Sequence, residues 1–120
     1  MPRDPRKLRV FVLADELVIE VYRATTSFPD DERFGLRMQL RRAAVSAACN
    51  IVEGSARRTT RDYIHFLNIA TGSSAEAQYL VNVAFRLRLL STSTHQALSN
   101  RFADLLKGLQ SLIKSLENLP

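Results

Sequence analysis

Between Gly35 and Gly54 the chain contains neither glycine nor proline. That interval admits a helix of roughly 18–20 residues, about 30 Å at ~1.5 Å per residue. Two stripes run along it. Leu36, Leu40, Ala44, Ala47 and Ile51 recur at three- and four-residue steps, the spacing of one apolar helix face. Gln39, Arg42, Ser46, Asn50 and Glu53 recur at the same steps and form a polar stripe beside the first. A solvated face usually carries long charges throughout. This one mixes amide, hydroxyl and opposite charges with the small neighbours Ala43, Ala47 and Ala48, a composition suited to a hydrogen-bonded seam. A helix with two faces to cover predicts a homo-oligomer.

The flanking segments read as three more helices. Val10, Leu13, Leu17 and Val21 predict an amphipathic helix from about Pro5 to Thr25, ended by Thr26-Ser27-Phe28-Pro29 because proline disfavours a helical residue before it. Asp30, Asp31 and Glu32 put negative charge where the next helix offers free N–H groups, a capping role rather than a calcium loop. After Gly54, Thr59 or Thr60 supplies an N-cap, and a third helix extends from about Arg61 to Leu90 with Tyr63, Phe66, Leu67, Ala70, Leu80, Val83, Ala84 and Leu87 on its apolar side. So short a connection makes the second and third helices antiparallel. Counting outward from it, Ala47 and Ala48 face Gly72, Ser73, Ser74 and Ala75, so small residues meet small residues and Gly72 is tolerated for close packing. Glu76 lies one turn further on, with Arg42 or Asn50 as its expected partner. Ser91-Thr92-Ser93-Thr94 is a hydroxyl-rich break with good N-caps, and a last helix follows to about Leu119, carrying Leu98, Phe102, Leu105, Leu109, Leu112 and Leu116. The fold class is therefore all-α, an up-down antiparallel four-helix bundle in one domain, 1–120.

Phe28-Pro29, Glu32-Arg33-Phe34-Gly35-Leu36, Gln39-Leu40-Arg41-Arg42-Ala43-Ala44-Val45-Ser46, Asn50-Ile51, Glu53-Gly54-Ser55 and Gly72-Ser73 with Glu76 occur in this order. In this the chain resembles the four-helix-bundle family of proteins encoded in intervening sequences of bacterial 23S ribosomal RNA genes, over nearly its whole length. The resemblance implies an up-down bundle assembling into a closed homopentamer, as in the related accessory variability determinant of diversity-generating retroelements, which binds nucleic acid and a reverse transcriptase. It implies no enzymatic activity. Arg37 departs from the small polar residue usual after Gly-Leu, Ala48 stands where proline is common, and Arg88-Leu89-Leu90 replaces the usual Gly-Tyr end of the third helix.

The charge balance points to an anionic partner. Seventeen Lys and Arg against twelve Asp and Glu leave a formal net charge of +5, carried almost wholly by arginine, since the only lysines are Lys7, Lys107 and Lys114. Guanidinium groups offer planar, multidentate contacts to phosphate or carboxylate; solubility with intramolecular pairing is the bland alternative. Arg57, Arg58 and Arg61 cluster at the turn between helices two and three, Arg37 and Arg41 are placed on the outward side of helix two, and Arg3, Arg6, Lys7 and Arg9 open the chain as a frayed terminus or a phosphate-binding arm. These are the candidate nucleic-acid contacts. A ring would multiply each patch by the number of subunits. The phenylalanines fall mostly on apolar faces, so phosphate contact is expected rather than base stacking. The competing reading is a structural or protein-interaction scaffold, a reverse-transcriptase accessory protein for example, without direct nucleic-acid binding.

Catalytic, metal and cofactor chemistry finds little support. His65 and His95 sit on different helices without a Ser/Asp arrangement. Cys49, the sole cysteine, is expected to be a buried inert thiol, and with no intrachain disulfide possible a reducing cytoplasm fits. Gly-rich phosphate loops and Glu-x-x-His pairs are missing. Arg42, Asn50, Glu53 and Glu76, with Gln39 and Ser46, are expected to form a structural polar network rather than a catalytic one.

Overall fold

The computed structural model describes residues 4–32 and 35–120; the arm residue Arg3 and the motif residues Arg33 and Phe34 lie outside them. Four helices make up the described chain: α1 (Pro5–Thr25), α2 (Leu36–Ser55), α3 (Thr60–Arg86) and α4 (Thr92–Glu117), with a short 3-10 turn at Asp30–Glu32. Among the described residues there is no strand. No described helix is long and apolar enough to cross a membrane.

The helix starts follow from local chemistry. Asp4 caps α1, its side chain accepting from the Arg6 N–H at 2.9 Å, and Pro5 occupies the first position, where a missing N–H costs nothing. Gly35 has no side chain with which to cap α2, so Glu32 reaches forward from the acidic turn and accepts from the Leu36 N–H at 3.1 Å. Thr59 caps α3 through the Asp62 N–H, and Ser91 caps α4 through the Thr94 N–H. Each satisfies a donor that the first helical turn leaves free.

Side-chain contacts fix the directions. Ser46 meets Ser73 while Gly54 faces Tyr63, so α2 and α3 run antiparallel. Gln78 bonds to Ser99 and Asn82 to His95, which reverses α4 on α3. Val10 touches Gly108 while Glu16 and Glu20 hold Arg101, so α4 returns alongside α1. Each helix packs on two neighbours in the cyclic order α1, α2, α3, α4, and the backbones of neither diagonal pair approach within 8 Å at Cα. The core they enclose includes Leu17, Leu40, Leu67, Val81, Phe102 and Leu109, all essentially inaccessible. Leu36, Leu40, Ala44, Ala47 and Ile51 are buried as their spacing requires.

Two expectations need correction. α3 ends at Arg86 and not at Leu90, because Arg88 turns into the left-handed region at φ 63°. The Leu89 N–H then bonds to the Ala84 carbonyl and the Arg88 N–H to that of Phe85, both at 2.9 Å, the paired closure that ends a helix at such a residue. Gly72 does not face α2. A Cβ built there meets nothing within 4 Å, and the small residues packed into the core are Ala70, Ser74 and Ala77. Close approach instead requires Gly54, where a Cβ would lie 2.8 Å from Tyr63 Cδ1 and 3.0 Å from Phe66 Cβ.

Candidate nucleic-acid interface

The α2–α3 turn lies at one end of the bundle. With α2 closed at Ser55 and α3 capped by Thr59, only four residues connect them, so Arg57, Arg58 and Arg61 project from the same corner, all exposed. Arg57 is not free. It pairs with the Glu53 carboxylate one turn back, and its guanidinium stands over the Phe66 ring, 4.8 Å from the centroid. Glu53 therefore leaves the polar stripe to which its spacing assigned it, because Arg57, four residues on and just past the end of α2, folds back onto it. Among the described residues Arg58 and Arg61 make no ion pair.

The first turn of α1 reaches the same end. Lys7 Nζ lies 5.3 Å from the centroid of the Tyr63 ring, placing the start of α1 beside the start of α3. Tyr63 is buried against it, and burial pushes its phenol above the ordinary value. Arg6 bonds back to Asp4 at 3.3 Å. Arg6 and Arg9 also line a groove of about 290 Å³ whose other wall, on α4, is Asp104, Lys107, Gly108 and Ser111. One end of the molecule thus gathers cations from α1, the α2–α3 turn and α4. Lys107 was not singled out in the sequence; the antiparallel return of α4 along α1 was the signal that would have found it.

Arg37 and Arg41 lie elsewhere and do other work. They were placed on the outward side of α2, but both are half-buried. Arg37 donates to the Phe28 carbonyl at 2.7 Å. Arg41 donates through Nε to Thr25 Oγ1 at 2.8 Å and through Nη2 to the Tyr22 carbonyl at 3.2 Å, stacked on the Tyr22 ring. The reason is local: the carbonyls at the C-terminal end of α1 lack helical partners, and the long arginines of the next helix supply donors. They fasten the α1–α2 corner, at the end of α1 opposite its basic start, about 30 Å away by helix rise.

The polar stripe is partly joined in the single chain. Ser46 and Ser73 share a hydrogen bond of 2.8 Å, and Asn50 Nδ2 donates to the Ser46 carbonyl at 2.8 Å and to its Oγ at 3.2 Å. Gln39, Arg42, Ser46, Ser73 and Glu76 line an open groove of about 290 Å³ between α2 and α3. Arg42 and Glu76 share that groove without an ion pair, and with Gln39 they are exposed. In the single chain Glu76 pairs with neither Arg42 nor Asn50, the two partners expected for it.

The remaining reactive groups do not converge. His65 is exposed, edge-on to Phe66 at 5.4 Å. His95 stacks on Phe85 at 4.0 Å and bonds to Asn82 Oδ1 at 2.8 Å. Cys49, expected to be buried, is exposed on the outer side of α2. A polar clasp that the sequence reading missed ties α4 to α1: Arg101 donates to Glu16 Oε2 and Glu20 Oε1, both at 2.6 Å, and the Glu16 bond raises its pKa further. Its donors and acceptors lie more than eighty residues apart, beyond what periodicity reports.

A model of the 23S rRNA-intervening sequence protein family matches residues 6–111. Among solved structures, the chain is similar to a protein of unknown function from the S23 ribosomal protein family of Bacteroides thetaiotaomicron. The TM-score is 0.84 at 22% identity, covering 91% of this chain and 98% of the other. A comparison with functionally curated proteins found no match.

Proposed function

This chain belongs to the 23S rRNA-intervening sequence protein family, and from that premise we propose that it is a non-enzymatic, oligomeric helical-bundle protein that binds structured RNA or DNA through phosphate contacts. The observation that carries the reading is the convergence of Arg58 and Arg61 with Arg6, Lys7 and Arg9 at one end, drawn together by the Lys7–Tyr63 contact. Arg57 contributes less than its neighbours, since Glu53 already offsets its charge.

The assembly is a closed ring of identical subunits, five by the family resemblance. In a ring each basic end is repeated, and modest charge per chain becomes a strong local field. Binding is then steep in salt, because neutralised phosphates release counterions, and nearly indifferent to sequence.

The test changes Arg57, Arg58 and Arg61 together to Gln, verifies by light scattering that the assembly persists, and measures binding to duplex and structured RNA at low and physiological salt. Affinity should fall for both ligands, and the salt slope should flatten. Unchanged affinity, or a wild type that binds nothing even at low salt, would favour the protein-scaffold reading instead.

A further inference from the structure

We propose that the outer face of α1 and α2 is a contact surface between copies of this chain, and that the outward stripe of α3 from the next copy is seated on it. The proposal rests on the oligomeric half of the reading above and adds the surfaces that meet.

The outward residues of α1 at 8, 12, 15, 19 and 22 and of α2 at 38, 42, 45, 49 and 52 advance in the same four-three-four-three steps. That is the spacing of a seam onto which another helix packs. On α1 it presents Leu8, Val12, Ile19 and Tyr22, between 40% and 58% exposed; on α2 it presents Met38 and Val52 at 40% and 50%. Every large apolar side chain that the described part of α1 and α2 exposes lies on this side or, as Phe11 does, at its edge. Counting outward from the α1–α2 corner sets Ile19 level with Val45 and Val12 level with Val52. Tyr22, Met38 and Val45 line a groove of about 750 Å³ that Asp30, Arg37, Arg41, Arg42 and Ser46 also border. Exposed apolar side chains gathered on one face in this way, with Asp15 and Arg42 among them, mark an interaction site.

Two observations favour a second copy as the occupant. The first is area. A folded monomer of this mass, 13.6 kDa, exposes about 6,600 Å² on the usual mass scaling, whereas this chain exposes 7571 Å². The excess is of the order that one partner buries in a standard interface, about 800 Å². The second is that the chain carries a matching surface. A ring of more than two copies needs two different patches that fit each other. Outside α1 and α2, the large apolar side chains exposed within a described helix are Ile69 and Tyr79. Both lie on the outward stripe of α3, with Gly72 between them. A Cβ at Gly72 would meet nothing in its own chain, so this mid-helix glycine has no packing role there. Contact with a neighbour's helix gives it one. Among the described residues of its own chain Glu76, on the same stripe, has no ion-pair partner, and Arg42 on the receiving face has none either; the pair is complementary in charge. α4 exposes no large apolar side chain along its helix and faces water.

The sole cysteine reports on the contact directly, since Cys49 is exposed in the single chain between Val45 and Val52. The experiment measures assembly mass by light scattering and, on the same sample, the rate of Cys49 labelling by a maleimide, referenced to the chain unfolded in guanidinium. Access as well as thiolate fraction sets such rates, and labelling in the assembly should be slowed roughly tenfold or more. Ile19→Glu and Tyr79→Glu replace exposed side chains, so each should keep the helical circular dichroism while lowering the mass and restoring Cys49 reactivity. Full Cys49 reactivity in an intact oligomer overturns this assignment of surfaces and leaves oligomerisation standing. A monomer mass for the wild type at micromolar concentration overturns oligomerisation itself. An assembly whose mass and Cys49 protection ignore Tyr79→Glu overturns the α3 half of the contact.

Discussion

The Lys7 ammonium stands over the Tyr63 ring, 5.3 Å from its centroid, and this contact joins the beginning of the chain to the beginning of α3. Because Tyr63 is itself packed against Gly54 at the end of α2, the first turn of α1 is held beside the α2–α3 turn. On the proposed function, a single nucleic-acid segment would meet both. Changing Arg6 and Arg9 together to Gln should weaken binding with no loss of assembly. Each phosphate contact removed should lower the slope of log affinity against log salt by about 0.9 on duplex. A slope equal to that of the wild type would confine the interface to the turn.

Arg41 supplies the converse experiment. Its guanidinium is spent on Thr25, the Tyr22 carbonyl and the Tyr22 ring, so Arg41→Gln should destabilise the fold by about 1.5–3 kcal/mol, the range for hydrogen bonds that involve a charged group. Binding at fixed salt should stay the same if the protein remains folded. Arg58→Gln should do the reverse, with stability within about 0.5 kcal/mol and a shallower salt slope. Urea denaturation midpoints beside salt titrations of the two variants separate the roles.

Why the sequence placed Arg41 on the wrong side is instructive. Periodicity reports the direction in which a Cβ leaves the helix, and for Leu40 or Ala44 that direction decides burial. An arginine spans several more bonds, and the carbonyls left open at the end of α1 draw it inward. Helix starts were legible for a related reason: Asp4, Thr59 and Ser91 act on N–H groups two or three residues away, within reach of a local reading. Cys49 and Gly72 were misjudged together. Both were assigned to the interior because small residues surround them in sequence, but only one side of each helix turns toward the core. The Arg101 clasp on Glu16 and Glu20 depends on how α4 returns along α1, and no local pattern announces it.

At the start of α1 the fold has a defined response to acid. Asp4 accepts the Arg6 N–H, and this bond, aided by the Arg6 guanidinium, holds its carboxyl below the ordinary value. A carboxyl depressed in the folded state stabilises the helix start fully above its unfolded value, about 3.9. That stabilisation is lost as pH falls through the lower folded value. The Arg6 amide shift should therefore be flat from neutral pH to about pH 5 and move only in stronger acid. Asp4→Asn keeps a capping oxygen but cannot titrate, and its Arg6 amide should stay flat throughout. Movement near neutral pH in the wild type would assign the shift to another group.

The end of α3 carries the most direct stability prediction. Leu87, Leu89 and Leu90 continue the apolar character of the helix, yet the chain reverses at Arg88, the one described non-glycine residue with positive φ. Leu90 is buried and Leu89 half-buried as a result, so packing of the segment beyond the turn outweighs the strain at Arg88. For a residue with a Cβ that conformation is unfavourable by roughly 1–2 kcal/mol, whereas glycine adopts it freely. Arg88→Gly should raise stability by up to about 1 kcal/mol, the relief being partly offset by the greater freedom of glycine in the unfolded chain. Arg88→Pro should be strongly destabilising, because its ring forbids positive φ and removes the N–H that bonds to the Phe85 carbonyl. Arg88→Ala relieves nothing at the backbone and should stay within about 0.5 kcal/mol of the wild type. Thermal denaturation of the three variants gives the order Gly above Ala above Pro. Equal midpoints for Gly and Ala would mean that the reversal at residue 88 carries no strain.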